Sequence, residues 1–171
     1  KMIDYNKALF QKHNISTLVT SCPICLKVFR EEYQLEGIEI LHHSEYILRL
    51  MNQGRLRIKY SSASTFTYHD PCELGRGNNI YDQPRAVIEA VGTLLEPAHN
   101  RKNALCCGSS VANTAIDDRQ QLTIAKGVAE ELDATGATTV VTACPLCKRA
   151  IARGSAKKVV DLSEIVAGNL R

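Results

Sequence analysis

The feature that most constrains this chain is an internal repeat. The segment TLVTSCPICLKVF at residues 17 to 29 returns as TVVTACPLCKRAI at residues 139 to 151, an offset of 122 residues. Each copy leads into a short apolar stretch and a helix-like stretch, IEILHHSEYILRLM after the first and KVVDLSEIVAGNL after the second. Two homologous units of alternating strand and helix are therefore expected, an α/β fold with small parallel sheets flanked by helices. The second copy has a long run before its CPLC, whereas the first has only about twenty residues before its CPIC. Residues 1–60 are read as the C-terminal part of a truncated first unit and residues 61–171 as a complete second unit. On this reading the chain is a fragment whose parent extends N-terminally by about a hundred residues, the length that the second copy has and the first lacks.

Sequence patterning places strands near 16–21, 38–41, 65–69, 138–142 and 158–161. It places helices near 3–13, 23–34, 44–53, 84–92, 111–133 and 145–153, several with Asp, Ser or Pro at the start. Residues 61–64 and 70–79 (DPCELGRGNN) read as loops, the first being the seam between the units.

Composition narrows the chemistry. A chain of 171 residues with 44% hydrophobic content can bury a core, and a net charge of +3 spread evenly leaves no basic stripe for nucleic acid. The absence of Trp and the 5% aromatic content remove a base-stacking platform. No apolar run approaches the roughly 18 residues that span a bilayer, and KMIDYNKALF lacks the apolar centre of a secretory signal. An odd count of seven cysteines without an export signal points to a cytoplasmic chain whose thiols bind metal or do redox work.

The cysteines carry that chemistry. In each CPxC the first thiol follows a β-branched run and sits at the helix N-cap, with Pro at the first helical position, where free N–H groups and the helix dipole favour thiolate. The second unit adds Cys72 in HDPC and the doublet Cys106-Cys107, followed by Gly108. There are 33 residues between Cys72 and Cys106, and 35 between Gly108 and Cys144. Three segments each ending in cysteine at a strand-to-loop junction would meet at one edge of a parallel sheet. A doublet followed by Gly suggests a bent loop around a ligand larger than one zinc ion, and iron with sulfide suits it better.

The pattern Cys72, Cys106-Cys107-Gly108, Cys144-Pro-Leu-Cys147, in its HDPCELGR and VVTACPLCK context, closely resembles the CCG, or cysteine-rich, domain found in heterodisulfide reductase. The same domain, usually in two copies, occurs in iron-sulfur subunits of glycolate oxidase, lactate-utilisation and anaerobic glycerol-3-phosphate dehydrogenase systems. The resemblance implies tandem CCG-type units and a 4Fe-4S-type cluster, non-cubane in heterodisulfide reductase, with Cys72, Cys106, Cys107, Cys144 and Cys147 as ligands. Cys22 and Cys25 match the last two ligand positions of a preceding motif, an incomplete site that could take zinc. The chain has Gly108-Ser109-Ser110 where many relatives carry a glycine-rich run.

The resemblance further implies an electron-transfer subunit of an oxidoreductase. Its partners would be a flavin-bearing dehydrogenase or other redox subunits, with contact to the inner face of the membrane only through them; the fragment alone is expected to be inactive. Alternatives are a structural zinc-binding module, and a metal-free CxxC thiol-disulfide oxidoreductase resembling glutaredoxin-like proteins. His69, beside Cys72, is a candidate hydrogen-bond donor near sulfur or a strand cap. His42 and His43 could complete a zinc site with Cys22 and Cys25, or be solvated helix-entry residues. GRGNN at 75–79 lacks the phosphate-loop patterns and reads as a turn.

Overall fold

A computed structural model describes residues 1–109 and 115–171. Residues 1–60 carry α1 (Met2–Lys12), β1 (Thr17–Thr20), α2 (Pro23–Glu31), β2 (Glu39–His42), α3 (His43–Asn52). Residues 61–171 carry β3 (Thr65–His69), α4 (Cys72–Asn78), α5 (Asp82–Val91), β4 (Thr93–Leu94), α6 (Asp118–Ala134), β5 (Thr139–Thr142), α7 (Pro145–Ile151), β6 (Lys158–Asp161) and α8 (Leu162–Ala167). Between β4 and α6 lies a short 3-10 turn at Arg101–Asn103. All strand pairings within the two sheets are parallel: β1 with β2 in one, and β4-β3-β5-β6 in the other.

The repeat is structural. β1-α2-β2-α3 matches β5-α7-β6-α8, with Thr20 opposite His42 in one ladder and Thr142 opposite Asp161 in the other. His42 and Asp161 each close a capping box, with Glu45 and Glu164 three residues on reaching back to the N-cap N–H. The TxVT runs form strands because their β-branched residues fit a pleated surface, and the Pro after each first cysteine starts a helix at the N1 position.

The two sheets share a core. Leu26 of α2 is fully buried in a cluster with Tyr68, Leu74, Val141 and Leu162, against which Ile40, Ile47 and Met51 pack. A second cluster lies on the other side of the larger sheet, where Val128, Ala129 and Leu132 of α6 meet Val140, Ile151 and the thiols of Cys107, Cys144 and Cys147.

Three expectations need correction. Residues 72–78 are a helix and not a loop, because Pro71 at the N-cap and Asn79 in the left-handed region (φ 56°) give it a defined start and stop despite two glycines. The helix expected at 111–133 begins at Asp118, after an Asp117–Gln120 capping box, and residues 111–114 of that expectation lie outside the described residues. The segment before Cys106 is not a strand. β4 ends at Leu94, and the chain reaches the doublet through the 3-10 turn and extended backbone.

Candidate metal centre

β3 and β5 lie side by side, so their C-terminal ends bring two cysteines to one edge of the sheet: Cys72 in the first turn of α4 and Cys144 at the N-cap of α7. Cys147 follows in the first turn of α7 and is buried. The doublet joins them from an irregular segment. Gly108 turns it with φ 79°, a conformation that favours glycine, and a Cβ there would press on Ile124 at 3.1 Å.

The five thiols are linked in one row. Cys107 Sγ lies 3.3 Å from Cys147 Sγ, and electrostatic coupling joins Cys72 to Cys106, Cys106 to Cys107 and Cys144 to Cys147. Hydrogen bonds from Cys107 and Cys72 drive Cys106 far down, to thiolate, and the bond from Cys147 draws Cys144 down to about 7. The partners move the other way: Cys107, bonded to the Cys106 thiolate, rises to about 11. Cys72 and Cys147 go well above the ordinary thiol range through the same contacts and burial. Thiolate is the ligating form, so the row holds both ligands and releasable protons. Among the described residues, no three His, Cys, Asp or Glu side chains enclose a common point as the ligands of one ion would.

Cys72, Cys107, Cys144 and Cys147 line a small cleft of about 20 Å³ together with Pro23 and Ile24 of the first CPIC. Cys25 is exposed and bonded to Cys22. Burial first, and then Cys22, raise its thiol, and it also feels the charge of Cys144. The orphan pair thus borders the cleft without joining the row. His42 and His43 are buried and not solvated helix-entry residues. His42 Nδ1 takes the N–H of Ser44 at the start of α3, and His43 Nε2 is 3.3 Å from Asp161 Oδ1, with the two rings 4.3 Å apart. His42 Nε2 and His43 Nδ1 have no hydrogen-bond partner among the described residues.

With no strand before it, the doublet is held by side chains of HDPCELGR. Asp70 Oδ2 accepts the N–H of Arg101 at 2.7 Å, and Arg76 donates to the carbonyls of Lys102 (3.2 Å) and Ala104 (2.8 Å). His69 Nε2 lies 3.1 Å from the carbonyl of Leu105. Asp70 is fixed in turn by a bidentate contact with buried Arg85, both distances 2.8 Å, and Arg85 also binds Glu96. Sequence reasoning singled out His69 but missed Arg76, Arg85 and Thr142. Arg76 had a signal in its place within the HDPCELGR motif, whereas Arg85 sits in an ordinary amphipathic helix and had none.

The cysteine-rich domain (CCG) family model matches residues 66–152, from β3 to the end of α7. The chain belongs to the cysteine-rich domain family. Relatives of this family member include "Probable iron-sulfur-binding oxidoreductase FadF" of Bacillus subtilis, 28% identical over 165 residues, covering 94% of this chain and 23% of that protein. EtfAB:quinone oxidoreductase of Syntrophomonas wolfei is 27% identical over 182 residues, covering 96% and 26%. One subunit of the dihydromethanophenazine:CoB--CoM heterodisulfide reductase of Methanosarcina mazei is 27% identical over 165 residues, covering 92% and 40%. The chain therefore spans between about a quarter and two fifths of the length of these relatives.

Proposed function

We propose that this cysteine-rich domain holds a 4Fe-4S-type cluster on Cys72, Cys106, Cys107, Cys144 and Cys147 and serves as the electron-transfer part of a larger oxidoreductase. The observation that carries the reading is the grouping of five thiols, four of them lining one cleft, with Cys106 driven to thiolate and Cys144 drawn down to about 7. Five thiolates exceed the four that a structural zinc takes. When bound, the cluster would supply one-electron chemistry, and the buried surroundings and hydrogen bonds to the sulfurs would set its potential. The names of the relatives, a quinone oxidoreductase and a heterodisulfide reductase, support a quinone or a disulfide as the acceptor. A flavin-bearing dehydrogenase is the donor that the family resemblance favours.

The reading of residues 1–60 as part of a first unit rests on the free edge of β1. β5 is flanked by β3 and β6, whereas β1 pairs only with β2 among the described residues. Val141 on β5 is fully buried and its repeat counterpart Val19 is 38% exposed. A parallel strand laid on β1, as β3 lies on β5, would cover Val19 and bring further cysteines towards Cys22 and Cys25. Those two thiols would then belong to a second centre, either another cluster or zinc. Among the described residues no helix is long and apolar enough to cross a membrane. A place in the cytoplasm, at the membrane only through partner subunits, is part of the same proposal.

Anaerobic reconstitution with iron and sulfide tests the assignment. The account expects broad absorption near the visible range and an EPR signal on reduction. Stoichiometric zinc with no iron uptake would favour the structural zinc module, and disulfide reduction that survives exhaustive chelation would favour the metal-free oxidoreductase.

A further inference from the structure

The two CPxC turns share a sequence and differ in shape. Thr20 and Thr142 close β1 and β5, each two residues before the first cysteine. The Thr20 hydroxyl accepts the N–H of Cys22 at 3.1 Å, a contact within its own turn. Thr142 turns instead to β3, its hydroxyl 3.4 Å from His69 Nδ1 and 3.2 Å from the His69 carbonyl. The backbone follows: Cys22 has φ −101° and Cys144 φ −153°.

The other nitrogen of His69 faces Leu105. A carbonyl can only accept, so Nε2 carries the proton, and Nδ1 faces the Thr142 hydroxyl, whose one proton goes to the His69 carbonyl. One imidazole, 4% exposed, therefore touches three segments: its own strand three residues before Cys72, the peptide just before Cys106, and the strand end two residues before Cys144. Leu105 has no strand ladder to fix it, and the ring supplies the contact that a ladder would.

We infer that His69 is a positioning residue, whose ring bond to Leu105 and backbone and ring contacts with Thr142 set the mutual spacing of the three cysteine-bearing segments so that one metal group can be shared among them. The inference rests on the reading of the five thiols as ligands. Outer contacts of this kind are worth about 10–100-fold in metal affinity where they have been removed from other metal sites.

The test compares the wild-type chain with His69→Phe, His69→Gln, Thr142→Val and a core control, Val166→Ala, distant from the doublet. Cobalt(II) is titrated anaerobically, with thiolate-to-metal absorption as the readout, and hydrogen exchange at residues 104–107 is followed in metal-free protein. His69→Phe should weaken cobalt binding about 10–100-fold and speed exchange at 104–107. His69→Gln, whose amide can donate to Leu105 while the Thr142 hydroxyl keeps its bond to the residue 69 carbonyl, should recover most of both. Thr142→Val should fall between them, and serves if His69→Phe does not fold. Val166→Ala should lower stability and leave both readouts unchanged. Wild-type affinity and exchange in His69→Phe, or an equal loss in Val166→Ala at matched stability, would overturn the inference. Wild-type protein that binds neither cobalt nor iron would contradict the metal reading alone, and exchange at 104–107 would then decide the role of His69.

Discussion

Cys107 Sγ and Cys147 Sγ lie 3.3 Å apart although 40 positions separate them in the chain. Both are buried, and the contact joins the irregular doublet segment to the first turn of α7. Mild oxidation of the metal-free protein is expected to begin at Cys106 and Cys144, the thiols held lowest, and to form bridges within the row before any other. Peptide mapping after brief exposure to air would show them. A dominant Cys22–Cys25 bridge with the row still reduced would contradict this order.

Cysteine replacement should separate the two sites. Cys106→Ser or Cys107→Ser breaks the row and should abolish or severely lower iron uptake, while Cys25→Ser, at an exposed thiol outside the row, should leave it near wild type. Iron and sulfide per chain after anaerobic reconstitution provide the check. Equal losses from Cys25→Ser and Cys107→Ser would put the orphan pair into the same centre.

Stability should fall with acid before the carboxylates titrate. Burial first, and then neighbouring His43, push His42 down to about 3, and burial also lowers His69. For a histidine depressed in the folded state, the unfolded chain binds more protons between the folded value and about 6.5, so stability is fully present above about 6.5 and is lost as the pH falls towards 3. Each such group contributes a slope of about 1.4 kcal/mol per pH unit inside that window. Urea unfolding at pH 7, 6 and 5 should show the decline, and His42→Asn, which keeps an N-cap side chain, should remove about one proton's share of it. An unchanged slope in that variant would contradict the burial of a neutral His42.

The Asp70–Arg85 pair should matter for the fold. Arg85→Met leaves a buried carboxylate with only the Arg101 N–H as partner, and removing one member of a buried pair costs about 3–5 kcal/mol. Equilibrium unfolding would register the loss; a change within about 0.5 kcal/mol, the ordinary scale of a surface substitution, would contradict the arrangement.

Much of this was legible in the residues. The TxVT-CPxC repeat marks two strands, two helix starts and four thiols, because β-branched runs and Pro at N1 are local signals that tertiary packing did not override. The gathering of Cys72 with Cys144 followed from parallel strands ending together. The route to Cys106 was not legible, since its backbone is held by Asp70, Arg76 and His69 across gaps of about thirty residues and by no periodic pattern. The helix at 72–78 was hidden by Gly75 and Gly77, which the packing of Tyr81 and Glu73 against them explains only in three dimensions. The Val19 edge became visible only when its burial could be set beside that of Val141.

The central claim is that the five thiols of the second unit share one iron-sulfur group. Mössbauer spectroscopy of the chain reconstituted anaerobically with iron-57 and sulfide, with metal and sulfide counted on the same sample, tests it most directly. The account predicts about four irons per chain in a sulfur environment, as a 4Fe-4S-type cluster requires, and their loss in Cys107→Ser. Iron bound at one per chain without sulfide, or zinc in its place, would contradict it.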